Sequence, residues 1–568
     1  MKYSFSFRTK IIALGILLFA LILVTKLFLV QVVHSSSYSL RADRQYATPS
    51  SNIFERGTIF FERRDGQLVS AATQVSGFKI AIDPSKITNE ESVYKKLSEI
   101  IVLNQEDFSV KAEKKNDTYE EIAHRLSKEE ADAVSALKIT GIFIYKEKWR
   151  FYPGGSLSSH ALGFLGYKGD ELAGRYGIER QYEKVLSRGK DNPYINFFAE
   201  VFSDIRTTLS RDEERDGSLV TTLESTVQGV LEKTLLEVKE KYKIDSIGGI
   251  IMNPKDGSIY AMGVNPDFDP NDFSQVEDVL TFSNPLVENI FEFGSVVKPL
   301  VMAAALDAGV VTAETKYTDK GSVLVEKKEI FNFDKKARGV VDMQEVLTQS
   351  LNTGMVFVYR QLGKEKMRDY MLSYGINEKT GIDLPNETKG WAANLNSPRD
   401  IEYANASFGQ GIALTPIEMI RALASLSNGG NLVVPHLVKS IKYDGGIEKK
   451  IDYPTTRVKI SEQTAEEITR MLVNVMDKAR GGLVKVEHYS IAGKTGTAQV
   501  ADQSTGGYYT DRNMHSFVGY FPAYDPKFIV FLYAINPKGS PYASVTWINP
   551  FLDIAKFLLN YYEIPPDR

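Results

Sequence analysis

Residues 293–299 read Phe-Gly-Ser-Val-Val-Lys-Pro, and this stretch predicts a loop that leads into a buried helix. If the helix opens at Ser295, Lys298 follows one turn later on the same face, where its amine can reach the serine hydroxyl. Pro299 suits the first helical turn, because those backbone N–H groups have no partner within the helix. Residues 300–308 continue as an apolar helix. The stretch therefore predicts a nucleophilic serine that is activated by a lysine at the start of a central helix.

The Ser-x-x-Lys spacing alone is weak evidence, because four other pairs share it: Ser76/Lys79, Ser92/Lys95, Ser135/Lys138 and Ser187/Lys190. Ser295 is distinguished by two later patterns in order, Ser-Leu-Asn at residues 350–352 and Lys-Thr-Gly at residues 494–496. A second Lys-Thr-Gly at residues 379–381 lies among turn-forming residues. Lys494 instead precedes a strand of small residues, along which a substrate backbone can lie. We therefore assign the third pattern to Lys494.

Hydrophobic patterning predicts strands at both ends of residues 218–568 and a mainly helical middle. Helices are expected at residues 225–242 and 550–562. This arrangement favours an antiparallel sheet whose outer strands come from opposite ends of the region. The predicted strands are Ser218–Leu223, Ser246–Met252, Ser258–Val264, Tyr489–Val500, His515–Phe521 and Phe528–Asn536.

With these three patterns in order, the sequence resembles the penicillin-binding proteins, a family of active-site serine D,D-peptidases that includes β-lactamases. The resemblance extends from about Ser218 to Tyr562. Upstream, residues 56–59 (Arg-Gly-Thr-Ile) and 175–179 (Arg-Tyr-Gly-Ile-Glu) resemble the non-catalytic pedestal of class B members, which are monofunctional transpeptidases on a single membrane anchor. The chain departs from the class B pattern at residues 61–66, where it is about two residues longer.

The resemblance implies an α/β (α+β) fold, with a central antiparallel sheet flanked by helices in the catalytic domain and a mixed α/β pedestal before it. We expect a cytoplasmic tail at residues 1–10, a transmembrane anchor at 11–33, a pedestal or dimerisation-like domain at 34–217 and a transpeptidase domain at 218–568.

The resemblance also implies a role for each matching residue. Ser295 would attack the penultimate D-Ala of a stem peptide, and Lys298 would take the serine proton. Ser350 would relay a proton to the leaving amine, and Asn352 would bind the substrate amide. The substrate carboxylate would lie beside Lys494, in a site formed with Thr495, Gly496 and Thr497. The backbone N–H groups of Ser295 and Thr497 would form the oxyanion hole.

The N-terminus predicts a membrane anchor. An apolar run from Ile11 to Val33 follows Lys2, Arg8 and Lys10. As a helix it would be roughly 35 Å long, enough to cross a hydrocarbon core of about 30 Å. The preceding cations keep the N-terminus in the cytoplasm, so the catalytic domain is expected outside the cytoplasmic membrane. The alternative of a cleaved signal peptide is disfavoured, because no A-x-A-like site follows the run.

Composition excludes several other functions. The formal net charge of −4 gives no electrostatic argument for nucleic acid. The chain has no cysteine, which removes thiolate nucleophiles and disulfides. It contains no Gly-x-Ser-x-Gly pattern, and its histidines and carboxylates lack metal-ligand spacing. We predict no metal and no cofactor.

We therefore interpret the sequence as that of a peptidoglycan D,D-transpeptidase, which cross-links stem peptides through a serine acyl-enzyme and is inhibited by β-lactams. Residues 34–220 carry no Glu-Asp-x-x-Phe-x-x-His-like stretch, so the glycan polymerase should be a separate membrane partner. Residues 493–499 and 516–520 favour a division role over elongation. A β-lactamase or penicillin-sensing receptor on the same frame, and a non-catalytic scaffold, remain as alternatives.

Overall fold

The computed structural model describes residues 55–168, 171–187, 216–443, 446–482, 486–502 and 507–568. The predicted tail, membrane anchor and first pedestal residues lie outside these ranges. Within them, no helix is both long and apolar enough to cross a membrane. The described residues form two compact units: a small unit of residues 55 and 74–149, and a large unit of residues 56–73 and 150–568.

Twenty strands are described. They are β1 (Ile59–Glu62), β2 (Leu68–Ile82), β3 (Glu120–Leu126), β4 (Ile142–Phe151), β5 (Leu165–Lys168), β6 (Glu171–Gly174), β7 (Gly217–Thr221), β8 (Ser246–Met252), β9 (Ile259–Asn265), β10 (Lys316–Asp319), β11 (Ser322–Val325), β12 (Lys328–Phe331), β13 (Gly339–Asp342), β14 (Asn431–Leu432), β15 (Val438–Tyr443), β16 (Glu448–Lys450), β17 (Thr456–Arg457), β18 (Ala492–Asp502), β19 (Gly507–Phe521) and β20 (Phe528–Ile535).

Sixteen α-helices are described. They are α1 (Glu90–Ser98), α2 (Gln105–Ala112), α3 (Lys128–Ala136), α4 (Ser159–Leu162), α5 (Gly177–Gln181), α6 (Glu183–Leu186), α7 (Ser225–Tyr242), α8 (Pro285–Glu288), α9 (Lys298–Asp307), α10 (Met343–Thr348), α11 (Asn352–Leu362), α12 (Lys364–Ser373), α13 (Asp400–Ala406), α14 (Pro416–Ser427), α15 (Glu462–Lys478) and α16 (Ala543–Tyr561).

The large unit is built on an antiparallel sheet with strand order β18-β19-β20-β8-β9. The two edge strands come from opposite ends of the catalytic region, which confirms the predicted arrangement. The central strand β20 is apolar and almost entirely buried, because both faces of the sheet are covered. Helices α7 and α16 pack on one face. The apolar helix α9 lies in the core on the other face.

Three predictions for this region were wrong in detail. Strand β19 begins at Gly507, eight residues before the predicted His515. The strand predicted at Ser218–Leu223 is β7, which belongs to another sheet and pairs there with β15 and with β1. The last helix was expected to begin at Pro550, but α16 begins at Ala543 and contains Pro550. The proline removes one backbone donor, yet buried Trp547 and Phe551 on either side of it hold the helix against the sheet.

The small unit contains the second half of β2, paired with β3 and β4, and helices α1–α3. Its apolar core includes Ile80, Leu97 and Phe108. The predicted boundary between residues 217 and 218 stays a prediction. Compact packing groups residues 56–73 and 150–187 with residues 216–568.

Candidate active site

The start of helix α9 is fixed by close backbone packing. Residues 294–297 form a 3₁₀ turn, and α9 begins at Lys298. Gly294 has φ +64°, and a Cβ there would lie 3.1 Å from the carbonyl oxygen of Thr497 in β18. A Cβ on Gly409, at φ +85°, would overlap the Gly294 carbonyl. These two glycines allow the turn to sit directly between β18 and residue 409.

Lys298 is completely buried, and its amine points to the Ser350–Asn352 segment. It donates hydrogen bonds to the Ser350 carbonyl oxygen at 2.6 Å, to Ser350 Oγ at 3.1 Å and to Asn352 Oδ1 at 2.8 Å. Burial lowers the pKa of Lys298 well below its usual value, and the positive charge of Lys494 lowers it further. The environment therefore favours loss of one proton; the neutral amine can keep only two of these three donated bonds, and its lone pair can then accept a proton.

Ser350 links the two lysines. Its Oγ accepts a hydrogen bond from Lys494 Nζ at 3.0 Å as well as the one from Lys298. Ser350 has φ +56°, an uncommon conformation for a residue with a Cβ, and this places its hydroxyl between both amines. Lys494 also donates to the carbonyl oxygen of Thr495 at 3.0 Å. Burial lowers the pKa of Lys494 to about 7.

Ser295 is half-buried and lies within one turn of Lys298. Sequence reasoning expected the Lys298 amine to reach the Ser295 hydroxyl. In the described part of the chain, however, all hydrogen bonds of this amine go to Ser350 and Asn352. Hydrogen bonds of catalytic groups are often long without substrate and tighten when it binds. The structure thus brings Lys298, Ser350, Asn352 and Lys494 into one network beside Ser295.

Strand β18 forms the edge of the sheet beside this network. A Cβ on Gly496 would overlap the Phe293 carbonyl oxygen and Ser516 Oγ, so only glycine lets β18 lie this close to the 3₁₀ turn at residues 294–297. Thr495 is half-buried and Thr497 is exposed. Thr497 Oγ1 accepts a hydrogen bond from the Ala543 N–H at 3.2 Å, which ties the strand to the start of α16.

The second Lys-Thr-Gly, at residues 379–381, is a structural turn. The N–H groups of Thr380 and Gly381 and the Thr380 hydroxyl all donate to the Glu387 carboxylate. The carbonyl oxygen of Lys379 accepts from Arg421. These contacts use the polar groups of the segment internally, whereas the amine of Lys494 reaches the Ser350 hydroxyl.

The sequence did not predict a buried polar cluster that lies next to Asn352, at the start of α11. The Asp319 carboxylate accepts hydrogen bonds from Asn332 Nδ2 at 3.0 Å and from Thr353 Oγ1 at 2.8 Å. The N–H of Thr353 donates to Asn332 Oδ1. The cluster fixes the first turn of α11, on which Asn352 lies. Asp319 and Asn332 are far from Thr353 in sequence and share no spacing with it that could have indicated this contact.

Comparisons with protein families place these residues in a known domain. Residues 247–548, more than half of the chain, match the family model described as penicillin binding protein transpeptidase domain. Residues 54–221 match the model described as penicillin-binding protein dimerisation domain.

Individual proteins similar to this chain are of the same kind. Stage V sporulation protein D of Bacillus subtilis is 31% identical over 93% of this chain and 81% of the relative. Peptidoglycan D,D-transpeptidase FtsI of Buchnera aphidicola is 26% identical over 97% of this chain and 94% of the relative.

Solved structures share the fold. Penicillin binding protein 2X of Streptococcus thermophilus superposes with a TM-score of 0.72 at 21% identity, covering 90% of this chain and 80% of the other. Penicillin binding protein 3 of Mycobacterium tuberculosis, complexed with aztreonam, superposes with a TM-score of 0.68 at 21% identity, covering 91% of this chain and 98% of the other. The chain therefore belongs to the class B penicillin-binding proteins and is a serine-type peptidoglycan D,D-transpeptidase.

Proposed function

We propose that Ser295 is the nucleophile of this transpeptidase and Lys298 its general base. Ser295 Oγ attacks the carbonyl carbon of the penultimate D-Ala and loses its proton to the neutral Lys298 amine. The bond to the terminal D-Ala breaks, and its nitrogen leaves as a protonated amine. The acyl-enzyme ester is then attacked by the amine of a second stem peptide, which forms the cross-link and restores the Ser295 hydroxyl.

The observation that carries this proposal is the buried amine of Lys298, held one turn from Ser295 beside a second lysine. A lysine that is neutral at neutral pH must have a pKa well below its usual value, and burial beside another cation lowers the pKa of Lys298 in that direction. Ser350 Oγ contacts both amines, which suits a proton relay from Lys298 to the leaving nitrogen.

The remaining assigned residues bind the donor. Asn352 presents its amide beside the Lys298 amine and binds the substrate amide. Lys494 supplies a cation, and Thr495 and Thr497 supply hydroxyls, for the terminal carboxylate. The edge position of β18 supports this assignment, because an extended peptide can add to a free strand edge. The small Gly496 keeps that edge against the catalytic turn.

Fluorescent penicillin labelling tests these roles. Wild-type protein should form a stable covalent adduct that Ser295→Ala abolishes. Ser135→Ala, which removes a serine with the same Ser-x-x-Lys spacing on α3, should label like wild type. Lys494→Ala should reduce labelling strongly, whereas Lys379→Ala in the second Lys-Thr-Gly should not. Labelling of Ser295→Ala would refute the nucleophile. Rapid release of the label would instead favour a β-lactamase. If the wild-type protein were not labelled at all, the result would favour a non-catalytic scaffold.

We also propose that residues 11–33 anchor the protein as a single-pass helix with the catalytic unit outside the cytoplasmic membrane. Because the chain has no cysteine, single introduced thiols report topology cleanly. A membrane-impermeant maleimide applied to intact spheroplasts should label Ser36→Cys and not Ser4→Cys. Labelling of both, or of Ser4→Cys alone, would contradict the proposed orientation.

The proposed partner is a separate membrane glycan polymerase, since no polymerase pattern occurs in residues 34–220. Residues 493–499 and 516–520 favour a complex that works in division. Depletion of the protein should then give filamentous cells that continue to elongate. Round cells would assign the protein to elongation instead.

A further inference from the structure

Helix α16 begins beside β18, and its first N–H group is used there. The N–H of Ala543 donates to Thr497 Oγ1 at 3.2 Å, and no side chain caps this end of the helix. Because the Thr497 oxygen accepts this bond, its own proton can be donated to another acceptor. In the proposed function that acceptor is the terminal carboxylate of the donor. The position of the Ala543 N–H therefore decides how Thr497 presents its hydroxyl to the substrate.

The residue opposite Thr497 is tied to the same helix. His515 in β19 is the cross-strand partner of Thr497, and it is completely buried. Directly opposed residues of an antiparallel pair point to the same face of the sheet. On this face His515 Nδ1 lies 2.8 Å from Thr546 Oγ1, and the His515 carbonyl oxygen accepts a hydrogen bond from Trp547 Nε1 at 3.1 Å. Two hydrogen bonds thus connect His515 to the start of α16.

The hydrogen bonds continue from Thr546 to the peptide unit that carries the Ala543 N–H. Thr546 Oγ1 lies 2.8 Å from Ser540 Oγ, and Ser540 Oγ donates to the Tyr542 carbonyl oxygen at 3.3 Å. That oxygen also accepts a backbone N–H of the first helical turn at 3.0 Å. The Tyr542 carbonyl and the Ala543 N–H belong to one planar peptide unit. Ser540 therefore holds one end of this unit, and Thr497 holds the other.

Proton counting gives this chain of hydrogen bonds one direction. The side chains of His515, Thr546 and Ser540 are buried, and each hydroxyl has one proton to donate. Because Ser540 gives its proton to the Tyr542 carbonyl, Ser540 accepts from Thr546, and Thr546 accepts from Nδ1–H of His515. The other ring nitrogen, Nε2, is buried and has no hydrogen-bond partner among the described residues, which suits the unprotonated nitrogen of this tautomer. Burial lowers the pKa of His515 to about 4, so the ring is neutral at pH 7.

We propose that His515 is a positioning residue of the donor carboxylate site. Through Thr546 and Ser540 it orients the peptide unit of Ala543, which in turn directs the Thr497 hydroxyl to the terminal carboxylate. His515 itself does not contact the substrate. This inference rests on the proposed function, because it uses the proposed role of Thr497. Loss of the imidazole should therefore weaken recognition of the carboxylate and leave the nucleophile and both lysines in place.

The test compares two donors that differ only in the terminal carboxylate. The full-length protein in detergent is given diacetyl-Lys-D-Ala-D-lactate or the same depsipeptide ending in D-lactamide, and kcat/KM for release of the leaving group is measured. Wild type should favour the carboxylate by about tenfold or more. Thr497→Val removes the hydroxyl and keeps the backbone N–H, and it should lower this preference about three- to tenfold, as for one lost hydrogen bond to a charged group. His515→Ala should lower it by a similar factor.

Two further substitutions separate positioning from folding. His515→Asn keeps an N–H donor at the place of Nδ1 and should retain the preference to within about twofold of wild type. His160→Ala removes another buried imidazole, which contacts Thr281 and Phe268 and no residue of β18, β19 or α16, and it should leave the preference unchanged. Because both donors are measured on the same preparation, a loss of folded protein cancels in the ratio.

A double variant tests whether His515 acts through Thr497. In Thr497→Val, the addition of His515→Ala should cause no further loss of preference, because both changes affect the same hydroxyl. An unchanged preference in His515→Ala, an equal loss in His160→Ala or a further loss in the double variant would overturn the inference and leave the role of Thr497 intact. A wild-type preference near one, or an unchanged preference in Thr497→Val, would refute the proposed role of Thr497 and the inference with it.

Discussion

The two buried lysines have opposite tasks in the proposed reaction, and pH should separate them. Lys298 must be neutral to take a proton, so raising the pH through its lowered pKa increases acylation. Lys494 must be charged to hold a carboxylate, so raising the pH through its pKa of about 7 decreases it. The profile of kcat/KM against pH for a D-Ala-terminated donor should therefore be bell-shaped. Because the two lysines interact, the two apparent pKa values of the profile belong to the pair and not to either residue alone.

Lys494→Arg tests the assignment of the falling limb. A guanidinium stays protonated across the accessible pH range, so the falling limb should move to higher pH even if the overall rate decreases. The measurement is kcat/KM against pH for both proteins. A falling limb at the same pH in Lys494→Arg would show that another group controls it.

Ser350 combines a chemical role with a strained backbone, and two substitutions separate these properties. Ser350→Ala and Ser350→Gly both remove the hydroxyl and should lower acylation by a similar factor. At φ +56°, however, glycine avoids a clash that alanine retains. Ser350→Gly should therefore unfold with a free energy about 1 kcal/mol higher than Ser350→Ala in urea titrations. Equal stability of the two variants would mean that the backbone relaxes at this position.

At the residue level, sequence patterns led to Ser295, Lys298, Ser350, Asn352 and Lys494 because the order of three short motifs is rarely accidental. They could not show that Lys298 bonds to Ser350 and Asn352, because the orientation of a flexible amine depends on groups brought together by folding. Gly409 and Asp319 were missed for the same reason, since each acts through a contact distant in sequence.

Among the secondary-structure elements, strand β18 holds its position because Gly496 has no side chain. Gly496→Ala would force a Cβ against the Phe293 carbonyl and Ser516 Oγ, so either β18 or the 3₁₀ turn at residues 294–297 must shift. We expect a loss of about 1–3 kcal/mol in stability, as for other overpacked sites, and a large loss of penicillin acylation. Gly229→Ala in the middle of α7 is the matched control, because nothing lies within 4 Å of its Cβ.

Gly229→Ala should stabilise the protein by about 0.5–1 kcal/mol, since alanine is the better helix former, and should leave acylation unchanged. Melting temperature and the rate of penicillin labelling report the two effects for both variants. If Gly496→Ala labelled at the wild-type rate, the close approach of β18 to the turn would not be required for catalysis.

The strands of the central sheet were predictable because their apolar runs are interrupted by clear turns, as at residues 253–257 between β8 and β9. Helix α7 was predicted to within about one residue of its observed bounds. The start of α16 was not predicted correctly, because a proline is common in the first turn of a helix and Pro550 was therefore placed there. The helix begins earlier, at Ala543, because Trp547 is buried against the sheet. The sheet membership of β7 depends on pairing with β1 and β15, which patterning within one strand does not encode.

On the scale of the whole molecule, the compact units do not follow the order of the chain. Strand β1 pairs in parallel with β7, which is more than 150 residues away, and residues 56–73 therefore pack with the catalytic residues. Sequence composition shifts near residue 217 and suggests a boundary there, but it carries no information about such a distant strand pair. The resemblance of residues 56–59 and 175–179 to the pedestal pattern was the only indication that these segments act together.

Those two segments meet in a buried ion cluster within the large unit. The Glu179 carboxylate is completely buried and pairs with Arg56 and with Arg150, each at 2.7 Å. The two arginines lower the pKa of Glu179 against the opposing effect of burial. Arg56 also pairs with Glu183 at 2.8 Å. Glu179 thus bridges two buried guanidinium groups from segments almost a hundred residues apart, and Glu183 shares only one of them, Arg56.

Glu179→Gln should therefore destabilise the large unit by about 3–5 kcal/mol at pH 7, because it leaves buried positive charge uncompensated. Since the folded pKa of Glu179 is lowered, its contribution is present above the unfolded value near 4.3 and is lost as the pH falls through the folded pKa. The difference in melting temperature between wild type and variant should thus be largest at neutral pH and shrink in acid. Glu62→Gln, which removes the partner of the exposed Lys439, should change stability by no more than about 1 kcal/mol. If both variants melted alike at pH 7, the cluster would not be what holds these distant segments together.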